Sequence, residues 1–204
     1  LARETIDFVR LNGWSCFTVE CLPARLHWRP ELIAPAVREK IRTARARGRF
    51  DRFFVLYGDC GTSGELDRVL LEEGAARIAG PHCFSFFAGN ERFAADAEAD
   101  GVTTFYLTDF FVRHFDRLVW EGLGLDRHPE LREMYFANYE KTVYLAQTPD
   151  PELEEAARVC ARRLGLDYEY RFVGYGDFGR TIEWVAKGEP AVAAAMNAPD
   201  VEGQ

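Results

Sequence analysis

The chain has 204 residues, a mass of 23.2 kDa, a formal net charge of −8 and a pI near 5.1. The acidic balance argues against a nucleic-acid partner, which needs a basic face. Apolar residues at 48% and charged residues at 28% argue against extended disorder. No stretch approaches the roughly 20 apolar residues of a membrane span. The opening Leu1-Ala2-Arg3-Glu4 has neither Met nor an apolar h-region, so no signal peptide is expected and the native start is expected upstream. Five cysteines, an odd number in a chain large enough for its own core, fit a reducing compartment, so a cytoplasmic location is expected.

Short apolar runs alternate with helical patterns. Residues 2–11 read as a helix closed by Gly13, and 16–20 as a short strand. Residues 30–47 form a helix opened by Pro30 and stopped by Gly48. The run from 51 to 57, closed by Gly58, suits a strand buried on both faces. A helix over 63–73, a strand over 75–78 and a helix over 84–99 broken near Gly89 follow. Then come a strand over 103–107 and helices over 109–121 and 128–138. The last elements are a strand over 142–146, a helix over 151–164, a strand over 168–173 and a helix over 177–186. This alternation predicts a doubly wound α/β fold: a mainly parallel sheet with helices on both faces. It is expected as a single domain over 1–188, with a loose tail over 189–204. One internal echo exists. Tyr57-Gly58-Asp59-Cys60-Gly61 recurs as Tyr175-Gly176-Asp177-Phe178-Gly179. It leaves two readings open: two pseudo-repeated lobes, or the shared chemistry of a strand-to-helix turn.

Cys21, Cys60 and Cys83 each follow a predicted strand, at the carboxyl edge where open parallel sheets bind ligands. His27, Asp59, Thr62, His82, Thr108 and Asp109 occupy the same loops. Thiolates and imidazoles suit zinc or iron–sulfur clusters. A metal centre held by Cys21, Cys60 and Cys83 is therefore the first reading, with His82 or His27 as weaker candidate ligands. Iron–sulfur ranks slightly above zinc, because ligands from separate loops leave room for a cluster. No Cys-x-x-Cys supports it.

The second reading makes Cys60 a nucleophile. The start of the following helix would lower its pKa, and His82 would be its base. Asp109 is a further catalytic candidate or a helix cap. The third is a metal-free module binding a small anion through the turn of Gly58, Asp59, Gly61, Thr62 and Gly64. That turn lacks both the P-loop and the dinucleotide spacing. Cys160, at helical spacing from Ala156, Ala157 and Leu164, reads as core. The Tyr135-Phe136-Tyr139 stripe reads as packing.

Several motifs together resemble one family. They are Leu-Ala-Arg-Glu at 1–4, Cys-Leu-Pro-Ala-x-Leu-His at 21–27 and Tyr-Gly-Asp-Cys-Gly-Thr-x-Gly-x-Leu-Asp at 57–67. Gly-Pro-His-Cys at 80–83, Leu-Thr-Asp-Phe at 107–110, Gly-Leu-Gly-Leu-Asp-Arg-His-Pro-Glu-Leu at 122–131 and Tyr-Leu-Ala-Gln at 144–147 extend the match over nearly the whole chain. The family is an uncharacterised bacterial and archaeal one, domain of unknown function sixteen thirty-eight. The resemblance brings no established activity. It implies an association with corrinoid-dependent methyl transfer, so a small molecule or a corrinoid or methyltransferase protein is the expected partner. It also implies that a strand and a Cys-Gly-Ala precede Leu1, supplying a fourth cysteine at the same edge.

Overall fold

The computed structural model describes residues 1–78 and 80–188, the side chain of His27 excepted. The expected tail over 189–204 lies outside the described residues. The chain divides into two compact units: Leu1–Cys83 with the residues from Phe178 on, and Phe84–Asp177. Each has its own parallel sheet with helices around it, the α/β architecture expected from the alternating pattern.

The first unit contains α1 (Ala2–Leu11), α2 (Ile33–Ala46), β1 (Phe54–Val55), α3 (Glu65–Glu73) and β2 (Ala76–Arg77). β1 and β2 pair in parallel, Phe54 with Ala76 and Val55 with Arg77. Ile33, Ala34, Val37 and Ile41 of α2 pack with Leu66, Val69 and Leu70 of α3 in one apolar cluster. Val55, Tyr57 and Cys60 lie against it. β1 is shorter than the expected strand over 51–57, and its residues are half-buried rather than buried on both faces. Its ladder continues past β1 as isolated bonds: Asp59 N–H donates to the Gly80 carbonyl at 3.1 Å and Cys60 N–H to that of Pro81 at 3.0 Å.

The expected strand over 16–20 is absent. A strand needs a neighbour to take its hydrogen bonds, and neither parallel ladder includes these residues. The β propensity of Phe17, Thr18 and Val19 is not enough without one. Cys21 is therefore not at a strand's end; it lies in an exposed irregular segment.

The second unit contains α4 (Cys83–Ala88, whose first residue closes the first unit), α5 (Asn90–Asp100), β3 (Thr104–Thr108), α6 (Asp109–Arg113), α7 (Leu131–Phe136), β4 (Lys141–Ala146), α8 (Pro151–Leu164) and β5 (Asp167–Phe172). α9 (Gly176–Lys187) follows. The sheet order is β3-β4-β5, all parallel. α8 shows why the sequence pattern was readable. Asp150 caps it by accepting from the N–H groups of Glu152 and Leu153, Pro151 opens it, and Gly165 closes it at φ 78°. Ala157, Cys160 and Leu164 face a core with Leu107, Tyr144 and Phe136, so Cys160 is a core residue. Burial pushes its thiol up to about 11. The expected helix over 109–121 divides at His114 into α6 and a π-helical turn, Asp116–Trp120.

Asp100, at the end of α5, anchors the start of the three-stranded sheet. Its side chain is 5% exposed and accepts from Arg171 at 2.6 and 2.7 Å, Lys141 at 2.8 Å and Tyr106 at 2.9 Å. Arg171 foremost, then Lys141 and Tyr106, hold its carboxyl far below the usual range against the opposing effect of burial. A carboxyl depressed in the folded state stabilises above its unfolded pKa of about 3.9 and loses that contribution as pH falls through the folded value. Asp100→Asn should therefore lower stability at pH 7 by about 2–3 kcal/mol, since it leaves the half-buried Lys141 and Arg171 one carboxylate short. The gap to the parent protein should narrow towards pH 3. Urea midpoints at the two pH values check this, and a gap that widens on acidification would contradict it.

Candidate functional site

The turn between β1 and α3 is built to hold one thiol. Cys60 at φ 48° and Ser63 at φ 53° are the two non-glycine residues with positive φ among those described, and Gly61 and Gly64 flank them at 84° and 80°. Such backbone costs about 1–2 kcal/mol per non-glycine residue and persists only where its surroundings enforce it. Asp59 does the enforcing. Its carboxylate accepts from the Thr62 hydroxyl at 2.7 Å, Gly64 N–H at 3.0 Å and Ser63 N–H at 3.3 Å. Burial opposes its ionisation, but those donors outweigh burial and hold the carboxyl below its ordinary range. Of the groups proposed for a small anion, the Gly64 N–H and the Thr62 hydroxyl are taken by the chain's own carboxylate, so an anion using them would have to displace Asp59.

The second loop, after β2, lies directly against the first. A Cβ at Gly58 would stand 3.0 Å from the backbone of His82, so any larger residue would push the two backbones apart. Arg77 fixes this loop from below. It is 8% exposed, pairs through both Nε and Nη2 with Asp67, and donates through Nη1 to the carbonyls of Ile78 at 3.0 Å and Gly80 at 3.2 Å.

The two loops bring Cys60 and Cys83 together. Each thiol acts on the other's charge, and both cysteines are free and partly exposed. The Cys83 thiol donates to Cys60, and the backbone N–H groups of Cys83 and Gly58 add to it. Burial and the charge of Asp59 work the other way. The thiol donor prevails and lowers Cys60 to about 7. The same hydrogen bond, with burial, pushes Cys83 well above an ordinary thiol. The sequence assigned the lowering to a helix start, but α3 begins only at Glu65; a neighbouring thiol does it instead. Tyr57 beside them is pushed up to about 12 by burial and by the two cysteines. His82 Nδ1 lies 3.8 Å from the Sγ of its chain neighbour Cys83.

Among the described residues no three His, Cys, Asp or Glu side chains gather as a metal-holding group. Cys21 therefore does not complete a donor set with Cys60 and Cys83. The physical reason is the missing strand over 16–20, which was to carry Cys21 to the sheet edge. The side chain of His27 lies outside the described residues.

Asp109 belongs to the second unit and has its own partners. It is 4% exposed and accepts from the Tyr144 hydroxyl at 2.8 Å, Gln147 N–H at 3.0 Å and the Thr148 hydroxyl at 2.8 Å. Its own N–H donates to Gln147 Oε1 at 2.9 Å. This joins the start of α6 to the end of β4 and leaves no role as a simple helix cap. Sequence reasoning missed Tyr144, Gln147 and Thr148 as its partners. The one available signal was that Asp109 and Gln147 follow consecutive strands of a parallel sheet.

The family profile described as Protein of unknown function (DUF1638) matches residues 21–182. The chain belongs to this family. The match takes in both loops of the thiol pair and the Asp109 network. No curated protein and no solved structure matches the chain. No helix among the described residues is long and apolar enough to cross a membrane.

Proposed function

We propose that Cys60 and Cys83 form a thiolate centre in which Cys60 is the nucleophile and Cys83 its proton-holding partner. The observation that carries this reading is the meeting of the two cysteine loops, tied by Cys60 N–H to the Pro81 carbonyl at 3.0 Å, where the Cys83 thiol favours the charged Cys60 sulfur. A thiolate, not a thiol, attacks electrophiles. Half-exposure gives a small molecule access, while the strained turn holds the sulfur in place. The substrate class is a soft electrophile: an activated carbonyl, an alkyl group or a disulfide sulfur. The corrinoid or methyltransferase partner implied by the family resemblance fits the second of these, since a thiolate can accept an electrophilic carbon.

The metal reading is weaker on this geometry. Two sulfurs are half the donors of a tetrahedral zinc and half of a Cys₄ iron–sulfur set. The others would come from outside the described residues. A nucleophile needs nothing further.

Iodoacetamide labelling tests the proposal. Cys60 should label before the exposed Cys16 and Cys21, with a rate that rises through a midpoint near pH 7. At pH 7 its rate should be about threefold that of an ordinary thiol, because a larger thiolate fraction is partly offset by lower intrinsic nucleophilicity. Labelling that starts at Cys16 or Cys21, with Cys60 responding only above pH 8, would refute the reading. One zinc or an iron–sulfur chromophore in protein prepared without oxygen, lost in Cys60→Ser, would favour the metal instead.

A further inference from the structure

Most thiolate nucleophiles stand apart from other sulfur. Here a second free cysteine, twenty-three positions along the chain, lies in the loop whose Pro81 carbonyl accepts the nucleophile's own N–H at 3.0 Å, and the two thiols act on each other's charge. The two loops cannot drift apart without breaking Asp59 N–H to Gly80 O and Cys60 N–H to Pro81 O. Gly58 presses them together at the backbone of His82, and Arg77 secures the Gly80 carbonyl. A catalytic thiol that only attacks carbon needs none of this. A thiol that must pass its bond to a second sulfur needs that sulfur already in contact.

We propose that Cys60 and Cys83 are a thiol–disulfide exchange pair, Cys60 attacking and Cys83 resolving, with small disulfides as the substrate class. The proposal rests on the reading of Cys60 as a nucleophile and adds what it attacks. In the first step the Cys60 thiolate attacks one sulfur of RS–SR. The Cys60–SR bond forms, the substrate S–S bond breaks, and RS⁻ leaves and takes a proton from water. Cys60 then carries no charge, so the hydrogen bond that kept the proton on Cys83 is gone. Cys83 gives its proton to solvent and attacks the Cys60 sulfur. The Cys60–Cys83 bond forms, and the second RS⁻ leaves and is protonated. The two cysteines are oxidised to a disulfide and the substrate is reduced to two thiols. A dithiol reductant from outside reverses both steps and resets the pair. Thiolate character, access and the leaving thiol set the rate of each exchange.

Tyr57 and Cys60 pack against the apolar cluster, while both cysteines stay partly exposed, which suits a small disulfide.

Oxidised glutathione is the probe, with the full chain carrying Cys16→Ser and Cys21→Ser so that the exposed thiols do not react. Two glutathione thiols should be released per protein. The intact mass should fall by two hydrogens, and a peptide map should join Cys60 to Cys83. Adding Cys83→Ser should stop the reaction at a stable Cys60–glutathione adduct with one thiol released. A serine hydroxyl still donates to the Cys60 thiolate, so iodoacetamide labelling of Cys60 should stay fast in that variant. If the protein that keeps both cysteines accumulates the adduct without closing, or ignores glutathione while labelling rapidly, the exchange proposal is wrong and the nucleophile reading stands. If Cys60 neither labels nor takes glutathione, the nucleophile reading itself falls.

Discussion

Gly176→Ala should be among the most destabilising single changes in the second unit, by about 3–5 kcal/mol. A Cβ at this position would stand 2.1 Å from the Phe87 carbonyl oxygen, 2.7 Å from its carbon and 3.0 Å from the Phe86 oxygen. These are backbone atoms of α4, so no flexible side chain can swing away. The residue also sits at φ 39°, where a Cβ adds strain of its own. The next residue raises the stakes. Asp177 accepts from Asn90 N–H at 3.1 Å, holding the first turn of α5 against the same loop. A backbone shift that relieves the alanine would pull this bond apart. Urea unfolding checks the expectation through a fall in the midpoint with little change in slope. A loss below about 1 kcal/mol would show that the two backbones do not meet as described. Gly58→Ala should be milder, because its Cβ would lie 3.0 Å from His82 without a positive φ.

Those two glycines explain the internal echo in the sequence. In each copy, Gly lets another segment's backbone approach, and the following Asp accepts a backbone N–H. The conformations differ, since Gly176 has positive φ and Gly58 does not. The shared feature is a task, close backbone packing.

Elements whose signals are local were legible. α8 is bounded by Asp150, Pro151 and Gly165, and the expected range 151–164 is the observed one. β4 and β5 fall within one residue of expectation: β4 is an apolar run, and β5 alternates charged and aromatic residues between Gly165 and Gly174. The segment over 16–20 failed because strand formation is a pair property, and a sequence window does not show the partner. The site divided along the same line. Cys60 and Cys83 follow β1 and β2, which the sequence located but drew too long, so the approach of their loops was foreseeable. Cys21 was placed by a strand that does not form. The contact between the two sulfurs, and the burial that makes it matter, come from loops whose course no periodicity encodes. The Asp59 carboxylate filling its own turn was likewise hidden. The turn's glycines advertise N–H groups, but not what already occupies them.

Cys83→Ala should slow iodoacetamide labelling of Cys60 at pH 7 by about threefold or more, while raising it at pH 10. In the parent protein the Cys83 thiol is the largest influence lowering Cys60 to about 7. Alanine removes that donor and keeps the backbone N–H groups of Cys83 and Gly58. Burial and the Asp59 charge, both opposing ionisation, then face weaker opposition. The midpoint should rise towards or past the ordinary thiol value of about 8.5. At pH 7 the thiolate fraction falls from about half to a few per cent or less, the dominant effect below the new midpoint. Above it both proteins are fully ionised, and the less stabilised sulfur is the better nucleophile, so the order of rates reverses. A crossing of the two pH–rate curves separates this mechanism from a blocked pocket, which would lower the rate at every pH. Cys83→Ser should lie close to the parent curve, because its hydroxyl restores the donor. If Ala and Ser variants behave alike and both match the parent, Cys83 is only a neighbour, and the lowered pKa of Cys60 has another cause.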